Sequence, residues 1–198
     1  AIGDNDTRIE NGLRCRLNIP KDSKIIGTVS RLSPEKGIEN LIAALLRLSE
    51  TNVQLVLVGS GSEEKKLKKL ARELGVEDRV HFLGYCRYVV DIYRSLDVYV
   101  QVSEFEGMPM SVLEAMASIC PVVATAVDGT RELIPNDSYG WLVSPNNPIE
   151  LANAIEEVLN DPIEATRRAS MGNDRVRDQY SLGKIVNCWD RLLTSSCR

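Results

Sequence analysis

The sequence has few aromatic residues, a single histidine and no long apolar run. Aromatic residues make up 5% of the 198 residues, and the five cysteines include no C-x-x-C pair. This odd set of cysteines favours neither a disulfide framework nor a zinc site and is typical of a reducing cytosol. No stretch approaches the roughly 20 apolar residues of a membrane span, and no signal peptide is visible. We therefore predict a cytoplasmic protein, and leave open a peripheral association of a longer chain with the inner face of a membrane.

The charge, the histidine and the glycine pattern exclude further classes. The net charge is −4 with both signs interspersed, so we predict no nucleic-acid partner. His81 lies in a strand-like run, and we predict a structural role for it and no bound metal. The chain has no Walker A motif, which argues against ATP hydrolysis. The G-x-G run at positions 59–61 lacks the third glycine of a dinucleotide fingerprint, since Glu64 stands there, and predicts a tight strand-to-helix turn.

From position 24 onward, short apolar runs alternate with amphipathic segments. Strands are predicted at residues 25–29, 53–58, 80–83, 98–102, 122–124 and 141–143, each followed by a helix, including one over residues 89–96. Continuous apolar runs are typical of a parallel sheet covered on both faces. We predict one doubly wound, Rossmann-like α/β domain of about six strands over residues 1–198. Residues 1–24 lead into it, and residues 161–198 form a helical tail with a break at 181–183 and an apolar stripe over 185–193.

The most informative stretch, residues 97–125, reads DVYVQVSEFEGMPMSVLEAMASICPVVAT and predicts a buried strand, a polar turn, a short helix and a second buried strand. Pro109 is suited to the first position of a helix, which places the helix start near Met108. The unpaired N–H groups and the positive dipole end of that helix are suited to a phosphate or another anion. Gly107 lets the backbone approach such a ligand closely.

Two glutamates flank this helix start. Glu106 precedes it, and Glu114 follows about two helical turns later. A phosphate repels a neighbouring carboxylate, so each glutamate should accept hydrogen bonds from hydroxyl groups on either side of the anion. Hydroxyl, phosphate and hydroxyl is the layout of a nucleotide sugar.

The loop SRLSPEKG at residues 30–37 follows the first strand and supplies two cations. Ligand sites of such sheets lie beyond the carboxyl ends of the strands, so we expect this loop to line the same cleft as Glu106. Arg31 offers a planar fork of donors and Lys36 a compact charge, both suited to a diphosphate. The alternative is a solvated turn around Pro34.

The pattern E-G-x-P-x-x-x-x-E, followed by A-M-A and P-V-V-A-T, resembles the donor-site motif of the group 1 family of retaining, GT-B-fold glycosyltransferases. The resemblance extends over residues 11–193 and implies the C-terminal, donor-binding domain of such an enzyme. It implies transfer of a hexose from a UDP-, GDP- or ADP-sugar to a glycan or lipid-linked acceptor, with no further cofactor. An N-terminal acceptor-binding domain would then be missing from this chain, and residues 1–198 alone are expected to be inactive.

The resemblance also assigns roles to residues. In the family, the first glutamate, here Glu106, meets the transferred sugar, and the second, here Glu114, holds the ribose hydroxyls. Arg31 and Lys36 match the cations that stabilise the diphosphate as the sugar bond breaks. Further donor contacts are expected around the helix start and at the end of the V-H-F-L-G-Y strand that leads to the nucleobase, at Gly107, Met108, Met110, Gly129, Tyr85, Cys86 and Arg87.

Four residues depart from the family pattern, namely Ser30, Val102, Ile119 and Asp128. Asp128 matters most, because a carboxylate beside a diphosphate sugar can weaken its binding or change the preferred sugar. Two alternatives stay open: a nucleotide-sugar epimerase of the same architecture, and a flavodoxin-type module that holds a metal and receives a phosphoryl group. The second needs clustered aspartates at strand ends, where only Asp97 and Asp128 are near.

Overall fold

A computed structural model describes residues 12–50 and 52–186 of the chain. These residues form one six-stranded sheet with helices on both faces, and every pairing between its strands is parallel. The strands are β1 (Lys24–Val29), β2 (Val53–Val58), β3 (Val80–Gly84), β4 (Val98–Gln101), β5 (Val122–Thr125) and β6 (Trp141–Val143). The helices are α1 (Gly12–Leu17), α2 (Ile38–Arg47), α3 (Glu64–Glu73), α4 (Val89–Tyr93), α5 (Met110–Ala117), α6 (Asp128–Leu133), α7 (Pro148–Asn160) and α8 (Pro162–Gln179). The predicted doubly wound α/β class is confirmed.

The central strands bury apolar side chains on both faces of the sheet. In β2, Leu55 and Leu57 pack in the same apolar cluster as side chains of α2, α3 and α7. The intervening Val56 and Val58 pack with side chains of α1, α4, α5 and α6 on the other face. Because both faces are covered, these strands need no polar alternation, which is why they read as continuous apolar runs in the sequence.

The order of the strands in the sheet is β3, β2, β1, β4, β5, β6. The chain moves outward from β1 to β3 on one side, then crosses to β4 and moves outward on the other. The connections after β1 and β4 therefore lead to helices on opposite faces of the sheet, α2 and α5, and such a reversal point is where parallel α/β sheets bind their ligands. We call the crevice between residues 30–37 and residues 102–109 the switch-point cleft.

Two short helices differ from the sequence prediction. The segment at Gly12–Leu17 is helical and buries Leu13, although the sequence predicts no helix before the first strand. α4 ends at Tyr93 rather than at residue 96, because the following N–H groups of Ser95 and Leu96 bond three residues back, as in a tight turn. Residues 1–11 of the leading segment lie outside the described residues.

The helical tail packs on its own domain as far as the structure describes it. Asp161 caps α8 by accepting a hydrogen bond from the Glu164 N–H at 3.0 Å. The Asn173 side chain then ties α8 to the end of α5 by donating to the Ala117 carbonyl at 2.8 Å. The helix stops at Gln179 and resumes at residue 182, so the break falls at 180–181 rather than 181–183. Only residues 185 and 186 of the predicted apolar stripe lie within the described residues.

Ile119 follows the end of α5 in a left-handed conformation, with φ of 57°. A β-branched side chain is strained there, and the side chain is 53% exposed, so burial contributes little in return. We expect Ile119→Gly to raise the free energy of unfolding by about 1 kcal/mol, measured by urea denaturation. Ile119→Ala is the matched control, because it removes the side chain but keeps the Cβ strain. An equal gain for both variants would contradict the explanation.

Candidate functional site

The two loops of the switch-point cleft are fastened to each other. The first contains a 3-10 turn at Pro34–Lys36 that ends at Gly37, with φ of 58°. A Cβ on Gly37 would lie 2.6 Å from the Val102 carbonyl oxygen, so only glycine allows this approach. The Glu104 N–H donates to the Glu35 carbonyl at 3.0 Å. The loop after β1 therefore lies against the loop after β4, as the sequence predicts.

Lys36 and Glu106 meet in this cleft. The Lys36 Nζ lies 2.5 Å from Glu106 Oε1, and the side chains are 19% and 15% exposed. The same oxygen accepts hydrogen bonds from Ser103 Oγ at 2.7 Å and from Gln101 Nε2 at 3.4 Å. The prediction that the lysine loop lies opposite the glutamate is confirmed.

A buried polar layer lies behind this pair. Gln101, Ser103 and Thr125 are each 3% exposed or less. The Thr125 hydroxyl donates to the Ser103 carbonyl at 2.6 Å and lies 3.2 Å from Gln101 Oε1. The sequence analysis missed this layer, although polar residues at the ends of apolar strands were a visible signal.

Arg31 lies near the start of the loop that contains Lys36, and its side chain is exposed. Within the described part of the chain, its guanidinium makes no hydrogen bond and no ion pair. The backbone beside it is fixed, because the Leu32 N–H donates to the Ser60 carbonyl at 3.0 Å. A Cβ on Gly59 would lie 1.9 Å from the Ser30 carbonyl oxygen, so the G-x-G run is the tight turn that the sequence predicts and it supports the Arg31 loop.

The charges of this loop act on Glu35 as well. The Ser33 hydroxyl, which donates to the Glu35 carboxylate at 2.5 Å, is the main cause of a lowered pKa of Glu35. The nearby positive charges of Arg31 and Lys36 lower that pKa further. Glu35 therefore stays ionised, and the loop carries both signs of charge.

The helix start is two residues later than predicted. Pro109 has φ of −77° and ψ of 89°, which is not helical, so it precedes the helix instead of forming its first residue, and α5 begins at Met110. The Val112 N–H donates to the Pro109 carbonyl at 3.0 Å. The backbone N–H groups of Met110 and Ser111 have no backbone acceptor in the described residues. Two unpaired donors thus remain at the cleft, where the sequence predicts an anion site.

The turn that carries Glu106 lies on α6. The Gly129 N–H donates to the Glu106 carbonyl at 3.1 Å, and a Cβ on Gly129 would lie 2.1 Å from the Gly107 carbonyl oxygen. Gly129 is therefore buried beneath the turn. A Cβ on Gly107, in contrast, would meet nothing within 4 Å. Asp128 is exposed. Together with Glu104, Glu106 and neighbouring residues, it lines an open cleft of about 470 Å³.

Glu114 is held by a buried tyrosine. The Tyr93 hydroxyl donates to Glu114 Oε2 at 2.9 Å. Its ring is fully buried and packs edge-on against Tyr99, with centroids 5.4 Å apart. Burial raises the pKa of Tyr93 well above its usual range, and the charge of Glu114 adds to this shift. The hydroxyl therefore stays protonated and fixes the carboxylate, whose side chain is otherwise exposed.

The residues predicted to meet a nucleobase lie beyond the end of β3. Tyr85 is 67% exposed, whereas Cys86 is buried and its thiol donates to the Tyr88 carbonyl at 3.7 Å. Arg87 lines a separate open cleft of about 480 Å³ along α4 and the residues just before it. The residues predicted to meet a base therefore lie after β3, on a different loop from Lys36 and from Glu106.

His81 lies near the start of β3, away from the carboxyl edge of the sheet. Its Nε2 is 2.8 Å from Gln54 Oε1, and burial lowers the pKa of the ring. Among residues 12–50 and 52–186, no group of three or more His, Cys, Asp and Glu side chains is arranged to hold a metal ion. None of the helices in the same ranges is long and apolar enough to cross a bilayer.

Comparisons with known proteins agree with this geometry. A sequence profile described as "Glycosyl transferases group 1" matches residues 11–175. Lipopolysaccharide core biosynthesis glycosyltransferase LpsE of Rhizobium meliloti is 32% identical over 182 residues, which are 92% of this chain and 53% of that protein. The chain thus spans about half the length of this curated relative.

Two solved structures have the same fold. The crystal structure of Anabaena Alr3699/HepE in complex with UDP has a TM-score of 0.88 and 30% identity, over 92% of this chain and 51% of that one. The same protein has also been crystallised with UDP and glucose and with UDP-glucose. The C-terminal domain of the group 1 family protein LpcC from Francisella tularensis has a TM-score of 0.73 and 25% identity, over 89% of this chain and 96% of that one.

Proposed function

Because this chain belongs to the group 1 glycosyltransferase family, we propose that it forms the donor-binding half of a retaining enzyme of GT-B architecture. Residues 1–198 act as one nucleotide-sugar-binding unit. The donor is a UDP-, GDP- or ADP-sugar, no further cofactor is needed, and a hexose is moved to a glycan or lipid-linked acceptor. The observation that supports this most directly is that Lys36 pairs with Glu106 in the switch-point cleft, and that α5 begins at Met110, soon after Glu106 in the chain.

In this proposal the diphosphate binds between Arg31, Lys36 and the start of α5. The Lys36 ammonium has three N–H donors and uses one of them on Glu106, so the others remain for phosphate oxygens. The exposed fork of Arg31 is suited to two oxygens at once. As the bond between sugar and diphosphate breaks, negative charge builds on the phosphate. Fixed positive charge at that place lowers the energy of the transition state.

The two glutamates bind hydroxyl groups on either side of the diphosphate. Glu106 accepts from the transferred sugar, and Glu114, held by Tyr93, accepts from the ribose. Gly129 supports the Glu106 turn from below. The remaining contacts come from backbone at the helix start and from the loop after β3, which reads and stacks on the base, at Gly107, Met108, Met110, Tyr85, Cys86 and Arg87.

The relatives support this class of substrate. Anabaena Alr3699/HepE has been crystallised with UDP and UDP-glucose, so a uridine donor is the first ligand to test. The relation to a lipopolysaccharide core glycosyltransferase supports a lipid-linked acceptor, reached from the cytoplasm at the inner face of a membrane. The acceptor would be held by an N-terminal domain outside residues 1–198. The family match favours transfer over the epimerase and flavodoxin-type alternatives.

We expect residues 1–198 to bind at least one of UDP, GDP and ADP without added metal, because Arg31, Lys36 and the start of α5 already supply positive charge. Titration calorimetry with and without EDTA measures this. Lys36→Ala should weaken binding about tenfold or more, the loss of one charge-assisted hydrogen bond. Lys24→Ala is the matched control, because Lys24 pairs with Asp97 at the opposite edge of the sheet.

Three outcomes decide the proposal. Binding that is unchanged by EDTA and weakened only by Lys36→Ala supports it. Failure of all three nucleotides to bind rejects the donor site, and an absolute requirement for Mg²⁺ rejects its metal-free form.

A further inference from the structure

Glu106 is held by only one of its two carboxylate oxygens. Oε1 lies within hydrogen-bond distance of three donors, from Lys36, Ser103 and Gln101. Oε2 receives no hydrogen bond from any residue that the structure describes. A carboxylate has about four lone-pair sites in all, so Oε1 is fully used. Oε2 is the oxygen that remains for a ligand.

Gln101 is an unusual residue for its position. It is the last residue of β4, it is 3% exposed, and the other residues of that strand are Val98, Tyr99 and Val100. A buried amide costs free energy unless its groups are hydrogen-bonded. Its Nε2 faces Glu106, and its Oε1 faces the hydroxyl of Thr125. The reverse orientation would set the amide oxygen against a carboxylate, so the charge of Glu106 selects the observed one.

Ser103 binds the same oxygen more closely and is itself held by the neighbouring strand. Its hydroxyl is 2.7 Å from Glu106 Oε1, and its carbonyl accepts from Thr125 at 2.6 Å. Gln101 and Thr125 end two adjacent strands, whose register pairs Gln101 with Ala124. Glu106 lies on a loop, but these contacts tie its carboxylate to the sheet. Such support from rigid elements is what keeps a functional group in one orientation.

We propose that Gln101 and Ser103 are positioning residues that orient Glu106, so that Oε2 accepts a hydrogen bond from a hydroxyl of the donor sugar. This rests on the proposed function and extends it: recognition of the sugar depends on the buried layer, whereas recognition of the nucleoside diphosphate does not. A layer that only fills the core would affect both ligands through stability, or neither. The two roles therefore make different predictions.

The test replaces Gln101 by methionine, which has a similar length and lacks the amide. Calorimetry on residues 1–198 compares UDP with UDP-glucose, GDP with GDP-mannose and ADP with ADP-glucose. We expect Gln101→Met to change the Kd of the nucleoside diphosphate by no more than about twofold. The factor by which the sugar nucleotide binds more tightly than the nucleoside diphosphate should fall by about fivefold or more. Glu106→Gln should lower that additional affinity in the wild type and have little further effect in the Gln101→Met background, since coupled residues are not additive.

Thr130→Val is the matched control for loss of a buried polar group. Thr130 is 0% exposed, and its hydroxyl has no hydrogen-bond partner in the described residues. We expect it to leave the affinity for both ligands unchanged. Equal losses for nucleotide and sugar nucleotide in Gln101→Met, or additive effects with Glu106→Gln, would overturn the proposal.

Failure of the proposed function would be visible separately, as no binding of any nucleotide by the wild type. In that case crystal structures of the wild type and of Gln101→Met decide the positioning role. We expect the Glu106 carboxylate to leave its single position in the variant. A carboxylate that stays in contact with Lys36 and Ser103, in the same orientation, would overturn the proposal.

Discussion

Residues 1–198 on their own are expected to bind a nucleotide sugar and to transfer none of it. In the proposed reaction, the acceptor hydroxyl must be held against the anomeric carbon on the same face as the departing phosphate. Such positioning is worth roughly 7 to 11 kcal/mol, or a rate factor of about 10⁵ to 10⁸. In the described residues, Lys36 pairs with Glu106, and Glu106 lines an open cleft that the loops after β4 and β5 enclose on one side only. A second domain is needed to hold the acceptor and to exclude water.

The measurement compares residues 1–198 with the longer natural protein of which, on our proposal, they form one half. Both are assayed for release of the nucleoside diphosphate and for labelled product, with each donor that binds. We expect transfer and some donor hydrolysis only from the longer protein. Calorimetry provides the control, because both chains should bind the nucleoside diphosphate with similar affinity. Transfer by residues 1–198 at a matching rate would mean that an acceptor site lies within this chain.

The strands could be predicted because burial on both faces leaves a direct trace in the sequence. The run at 53–58 forms β2 with the predicted bounds, and each other strand agrees with its prediction to within one residue at either end. Parallel strands covered by helices admit few polar residues, so their runs are unbroken. The loops that carry Arg31, Lys36 and Glu106 then lie at the same edge of the sheet, which fixes the place of the site without any knowledge of side-chain contacts.

The parts that could not be predicted depend on contacts between distant residues. The helix start at Met110 depends on the ψ angle of Pro109, within a turn whose backbone packs on Gly129. The contact between Tyr93 and Glu114 joins two helices and depends on their packing. Local propensity determines that a helix forms, but the tertiary surroundings decide its first residue. The orientation of each glutamate is set in the same way, by residues that are not adjacent in sequence.

Glu114→Ala and Glu106→Ala are expected to separate recognition of the nucleotide from recognition of the sugar. If Glu114 accepts hydrogen bonds from the ribose, Glu114→Ala should weaken the nucleoside diphosphate by roughly 1.5 to 3 kcal/mol, or more than about tenfold in Kd. Glu106→Ala should leave the nucleoside diphosphate nearly unchanged, because Glu106 is assigned to the sugar and Lys36 already has donors free for the phosphates while it is paired. It should weaken only the sugar nucleotide.

Tyr93→Phe adds a matched test of how Glu114 is held. The variant keeps the ring against Tyr99 and removes only the hydroxyl that donates to Glu114. Without that donor, the Glu114 carboxylate rotates freely in water before the ligand binds. Binding must then also offset the conformational entropy that this side chain loses. Tyr93→Phe should therefore weaken the nucleoside diphosphate in the same direction as Glu114→Ala but by less, with no effect in the Glu114→Ala background. Calorimetry with the nucleoside diphosphate and its sugar nucleotide measures the wild type, the three single variants and the double variant of Tyr93 and Glu114. Equal losses of both ligands in Glu106→Ala and in Glu114→Ala would show that the two carboxylates do not divide the donor between them.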